Sequence, residues 1–407
     1  MRDIFIGRQA IFDRNYQVTS YELLFRADGD VQESDETHKQ EYMSAHVLVG
    51  ALMDVGLDQL AGHKMVHVNA SEDFLKSGVV EALPSDKVGI EILEHVPVSD
   101  EIVQVCKDLK DKGYHLMLDD VVYRPELDAL LELVDVVKVD LPQVTDMTQE
   151  VRQLRRFRVK LLAEKVETYA DYERCKDLGF DYFQGYFFCK PEIVKNQTMP
   201  ESKVAILRAL QKVLKASVVS EIESLVKQDV SLSYRLLKYI NSAAFGMRRE
   251  IESIEQALVL LGLNPARRWL SLLALSALGD GKPSELMRTA LYRGYFLESV
   301  AKKLNEDETG DDFLLGMFSV LDALLDQPME QAIEGMALPK EVRTALLHDD
   351  ASMAYKLKIL YALEHGAWDD VLALSTQYRA LKVQDLMGLH TQALVWSDEQ
   401  MQAIGGG

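Results

Sequence analysis

The chain has 407 residues, 48% apolar and 27% charged, the balance of a soluble globular protein long enough for two domains. Its formal net charge of −20 argues against direct nucleic-acid binding, which needs clustered Lys and Arg. It leaves room for a small anionic ligand, because a few cations or metals reverse the field inside a cleft. No apolar run approaches the ~20 residues that span a bilayer, and the opening MRDIFIGRQAIFDRN is interrupted by charge too early for a secretory leader. The expected location is the cytoplasm, where Cys106, Cys175 and Cys189, far apart and at no zinc spacing, read as reduced thiols.

Up to about residue 190, short apolar runs alternate with amphipathic segments. Strands are expected over 4–12, 18–25, 64–69, 88–93, 114–120, 136–140, 160–166 and 182–188. Helical stretches such as 98–112 and 168–179 lie between them. This repetition predicts an α/β fold, a TIM-like (β/α) barrel built on a parallel sheet.

Polar side chains recur near the C-terminal ends of these strands: Glu22, Asn69, Glu91, Asp119, Asp120, Lys138, Asp140, Glu164 and Gln184. A barrel gathers such ends on one face, where its active site lies. Singly, each reads as a helix cap or a salt bridge; in register they suit oxygen-preferring divalent cations. Two Mg²⁺ or Mn²⁺ ions so held would activate water and stabilise a leaving oxygen in phosphodiester cleavage. Lys138 would orient water or neutralise phosphate, and Arg26, four residues after Glu22, is a bidentate phosphate donor. The residues alone therefore point to a metal-dependent phosphodiesterase or a binder of a phosphorylated ligand.

After residue 200 the rhythm becomes helical. Residues 190–203 (KPEIVKNQTMPESK) read as a linker, and apolar residues then recur at helical spacing, as in Ile206, Leu207, Leu210, Val213 and Leu214. The expected division is a barrel over 1–195 and an all-α domain over 196–407.

The segment RQAIFDRNYQVTSYELLFR resembles the opening of an EAL domain, the cyclic di-GMP phosphodiesterase family, with Glu22-Leu23-Leu24-Phe25-Arg26 at its signature. Asn69 in VHVNAS, Glu91 in GIEILE, Asp119-Asp120, Lys138 in VDVVKVD, Glu164 and Glu167 in LLAEKVET, and Gln184 in FDYFQGYFF follow in the family's order. The resemblance implies that Glu22, Asn69, Glu91 and Asp119 hold a first metal. Asp119, Asp120 and Glu164 would hold a second. Lys138 would assist the water with Asp120 and Glu164, Glu167 would brace the site, and Gln9, Arg26 and Gln184 would contact the dinucleotide.

The departures are specific. Active EAL domains follow the Asp-Asp pair with a glycine-rich loop, whereas VVYRPELDALL stands here, and Leu23 replaces the signature alanine. Valine, tyrosine and a pre-proline arginine resist conformations that glycine adopts freely. The expectation is that the second metal is held poorly.

Residues 231–275 resemble the HDOD domain, an all-helical relative of HD phosphohydrolases that lacks their metal-binding histidines, in the phrases LLKYINSAAFG and SIEQALVLLG. Leu236, Leu237, Leu258 and Leu261 read as core, and His348-Asp349-Asp350 as a solvated helix end. The order EAL then HDOD resembles the YuxH-like bacterial signalling proteins. That resemblance implies a regulator whose degenerate barrel binds cyclic di-GMP or serves as a scaffold with little or no hydrolysis, while HDOD engages a protein partner; a homodimer through the barrel is the family's usual assembly. An active Mg²⁺- or Mn²⁺-dependent phosphodiesterase yielding pGpG, and an interaction protein without a nucleotide site, are the alternatives.

Overall fold

In a computed structural model of the chain, the described residues are 4–27, 56–191, 200–228, 230–241, 251–306, 310–377 and 381–405. Contacts divide the chain into two compact units. One comprises Met1–Lys190 and Tyr361–Val395, the other Pro191–Leu360 and Trp396–Gly407. The stretch Tyr361–Val395 thus groups with the first unit although it follows the helical region in sequence.

The first unit is built on a closed barrel with strand order β1 to β8. The strands are β1 Ile4–Asp13, β2 Val18–Ala27, β3 Met65–Ala70, β4 Val88–Ile92, β5 Leu116–Leu118, β6 Val136–Asp140, β7 Lys160–Glu164 and β8 Tyr182–Gln184. All eight expected strands form, and from β2 to β8 successive strands pair in parallel. The exception to the expected parallel sheet is β1, which runs antiparallel to both β2 and β8. The cause is local: a tight turn joins β1 to β2, too short for the crossover a parallel pair needs. Asp13 Oδ1 accepts from the backbone N–H groups of Asn15 and Gln17 at 2.8 and 2.9 Å, and Tyr16 takes a left-handed φ of 60°.

Inside the barrel, Ile11, Met117, Val136 and Leu162 form a buried layer below the polar strand ends, with Tyr182 against it. Helices cover the outside. Asp100–Asp111 starts at the Ser99 cap, and Tyr169–Asp177 at a capping box between Thr168 and Asp171. The β1–β2 hairpin is covered partly by the returning stretch: a Cβ on Gly7 would meet the Leu363 carbonyl at 3.3 Å and the Trp368 ring at 3.4 Å. Tyr186, just past β8, stacks on His365 with ring centroids 4.1 Å apart and donates to the Glu364 carbonyl at 2.5 Å.

The second unit is helical. Ile222, Val226, Leu236, Ile240, Ala257, Leu258 and Trp269 share one core, against which Leu237 and Leu261 pack as partly buried neighbours. Asn241 exchanges two hydrogen bonds with the backbone of Ile251, at 2.9 and 2.8 Å. The intervening SAAFGMRRE (242–250), which carries part of the HDOD-like phrase, lies outside the described residues. His348, Asp349 and Asp350 are exposed just past the helix Lys340–Leu347. No single described helix is long and apolar enough to cross a membrane.

A carboxylate cluster around Lys138 as candidate metal centre

Strand register assembles the site. Gln9 lies opposite Glu22 across the β1–β2 pair, Asn69 opposite Glu91 across β3–β4, and Asp140 opposite Glu164 across β6–β7. Gln184 lies opposite Ile11 on the remaining side. Side chains of alternate residues point inward, so each of these positions delivers its polar group to one end of the barrel. Glu22 is the variation on that rule: it sits midway along β2, because the β1–β2 hairpin is longer than the other strands.

At the centre stands Lys138, 1% exposed. Its Nζ lies 3.1 Å from Glu22 Oε2, 3.1 Å from Asp119 Oδ1 and 2.8 Å from Glu164 Oε1, and is paired with Glu91 Oε1 as well. Burial alone would lower the lysine pKa, but the surrounding carboxylates, Glu22 foremost, outweigh it and hold it well above the usual lysine range. Burial, and then the charge on Glu22, push the Glu91 carboxyl well above its ordinary value. Glu164 is raised to about 8, chiefly by burial, with Lys138 opposing. Asp120 is raised by burial and by neighbouring Asp119.

Four carboxylates around one ammonium, with Asp120 beside them, carry more negative charge than the space tolerates, and the excess is relieved either by protons or by cations. The oxygens fit cations. One oxygen each from Asp119, Asp120 and Glu164 lie within 4.8 Å of one another. Asn69 Oδ1, Glu91 Oε2 and Glu164 Oε2 are buried without a hydrogen-bond partner. Orphaned, inward-facing oxygens of this kind are what a hard divalent ion would satisfy. Asn69 Nδ2 donates to Glu22 Oε1 at 3.3 Å, so its carbonyl oxygen is the end left over. Gln184 Nε2 donates to Glu22 Oε2 at 2.6 Å and to Gln9 Oε1 at 2.9 Å, drawing both glutamines to the cluster.

One expected residue stands apart, and the side chain of another falls outside the described residues. Glu167, expected to brace the site, is largely exposed and pairs with Lys190 at 3.0 Å instead. Arg26 lies on β2 opposite Phe5, and its side chain lies outside the described set. The chain after Asp120 is held without glycine: Val121 is buried and its N–H donates to the Lys138 carbonyl at 2.9 Å, while Arg124 is exposed. Sequence reasoning missed Gln143, whose Nε2 donates to Asp120 Oδ2 at 3.1 Å and to Asp140 Oδ2 at 2.7 Å. It also missed Lys165, which pairs with Asp140 from a left-handed backbone, φ 54°.

Comparison with known proteins settles the family. Residues 36–191 match the EAL domain and residues 197–334 the HDOD domain. YuxH of Bacillus subtilis is 31% identical over 411 residues, spanning 98% of this chain and 99% of its own. The chain belongs to the EAL–HDOD family. Another EAL–HDOD relative, the cyclic di-GMP phosphodiesterase CdgJ of Vibrio cholerae, is 32% identical over 377 residues, 91% of this chain and 87% of CdgJ. The solved PaMucR phosphodiesterase in its c-di-GMP complex is 20% identical, with a TM-score of 0.39, covering 45% of this chain and 94% of its own. The EAL match begins after Glu22, and Gln9 and Glu22 reach the Lys138 cluster through the pairing of β1 and β2 in the closed barrel.

Proposed function

We propose that the barrel is a metal-dependent phosphodiesterase that opens cyclic di-GMP to linear pGpG, and that the HDOD unit is its protein-contacting partner module. The observation that carries this reading is the convergence of Asp119, Asp120 and Glu164 beside the Lys138 cluster. The relationship to CdgJ across both domains supports the choice of substrate.

Glu22, Asn69, Glu91 and Asp119 would hold one Mg²⁺ or Mn²⁺, and Asp119, Asp120 and Glu164 the other. Ions so placed supply an activated water and stabilisation of the charge that develops on the phosphoryl oxygens. Lys138, fully protonated among its carboxylates, holds them in place and keeps one positive charge at the position the phosphate approaches. Glu164, which gives up its own proton when an ion binds, would then accept one from the water. Gln184, which already donates to both Gln9 and Glu22, orients the dinucleotide together with Gln9 and Arg26.

A second reading, nucleotide binding without turnover, is favoured by one feature: VVYRP offers no glycine next to the Asp119-Asp120 pair. For the HDOD unit, the exposed apolar side chains of Tyr234, Val259 and Leu260 support a role in protein contact.

The test is incubation of the purified full chain with cyclic di-GMP and Mn²⁺ or Mg²⁺, resolving pGpG by chromatography. Turnover that Glu22→Ala abolishes supports hydrolysis. Calorimetric binding without product supports the second reading, and absence of both rejects the nucleotide site.

A further inference from the structure

Asp120 carries a left-handed φ of 44° although it is not glycine. Asp tolerates this region better than most residues, but such a backbone persists only where its surroundings over-determine it. The constraints come from one direction. Val121 N–H donates to the carbonyl of Lys138 on β6 at 2.9 Å. Tyr123 N–H donates to Glu150 Oε1 at 2.6 Å. Gln143 Nε2 bridges Asp120 Oδ2 at 3.1 Å and the buried Asp140 Oδ2 at 2.7 Å.

Glu150 lies on the helix Met147–Leu154 and is 8% exposed. A buried carboxylate turned onto a loop amide is a charge-assisted acceptor, stronger than a neutral one, and fixes that amide in place. Gln143 lies in the 3₁₀ turn Leu141–Gln143 directly after β6. The segment following β6 therefore grips the Asp120 loop twice, by its backbone at Tyr123 and by the Asp120 carboxylate itself.

We propose that Glu150 and Gln143 are positioning residues that hold Asp120 in ion-binding geometry. The assignment rests on the metal-site reading above and adds two residues that no strand-end pattern contains. Outer groups that orient a ligand alter metal affinity without touching the metal.

The experiment titrates MnCl₂ into the full chain by calorimetry, without nucleotide, for the wild type, Glu150→Ala, Glu150→Gln and Gln143→Ala. Thermal unfolding of each variant checks that it folds. The expected result is two ions on the wild type. Glu150→Ala and Gln143→Ala should weaken the second ion by about 10-fold or more and leave the first nearly unchanged. Glu150→Gln should restore the second ion, because its amide oxygen still accepts from Tyr123. Equal weakening of both ions, or wild-type affinity for both in Glu150→Ala and Gln143→Ala, overturns the assignment while the two-ion site stands. A wild type that binds fewer than two ions overturns the assignment and the two-metal reading together.

Discussion

The ammonium of Lys138 stands 3.1 Å from Asp119 Oδ1, the carboxylate proposed above to serve both ion positions. Lys138 therefore supplies in the metal-free barrel part of the positive charge that ions would bring. Asp119 is compensated only in part, because it shares that ammonium with Glu22, Glu91 and Glu164.

Lys138→Met should expose that dependence. It leaves Glu22, Glu91, Asp119 and Glu164 without their shared cation in a buried space. Losing one partner of a buried ion pair costs roughly 3–5 kcal/mol. Thermal unfolding in EDTA should show a large drop relative to wild type. Mn²⁺ should recover part of it, because ions replace the lost charge. Equal stability of the two proteins in EDTA would contradict the central role of Lys138.

Ion binding should be proton-linked. Glu164, with its pKa raised to about 8 chiefly by burial, is protonated at neutral pH in the metal-free barrel. An ion must displace that proton, so Mn²⁺ affinity should rise with pH and flatten above about 8. The stability sign is opposite. The folded metal-free state binds more protons than the unfolded chain, so this group's contribution falls as pH rises from the ordinary carboxylate range towards 8. Calorimetry in two buffers of different ionisation enthalpy should report proton release at pH 7, and a Glu164→Gln variant should release less.

Trp368→Ala should destabilise the barrel unit although the residue lies far along the chain. Trp368 is 8% exposed and packs near Gly7 on the first strand. Truncating a buried tryptophan costs about 3–5 kcal/mol. The loss should appear in the unfolding transition that Mn²⁺ shifts, which marks it as the barrel's. A chain ending at Leu360 should lower the same transition further. If either change leaves that transition in place, Tyr361–Val395 is not an integral part of the unit.

Much of this was legible in the sequence. Eight apolar runs, nearly all with a polar residue near the end, announce a barrel with one functional face, and the ladder of Asn69 beside Glu91 and Asp140 beside Glu164 delivers it. What the pattern concealed has physical causes. The reversal of β1 depends on turn length, which does not alter apolar alternation. Gln143 and Glu150 act across space on a neighbouring loop, and an exposed glutamine after a strand has no periodicity to mark it. The left-handed Asp120 and Lys165 would have been foreseeable only with glycine at those positions. Amphipathic helices near the C-terminus state that they bury one face, but not whether Trp368 buries it against the helical core or against Gly7 and the barrel.

The most direct measurement is anomalous diffraction at the manganese edge from crystals of the full chain grown with MnCl₂. Two peaks are expected, one bounded by Glu22, Asn69, Glu91 and Asp119 and one by Asp119, Asp120 and Glu164. The absence of a peak between Asp119, Asp120 and Glu164, with those carboxylates still turned onto Lys138 and Gln143, would contradict the two-ion centre on which the phosphodiesterase reading stands.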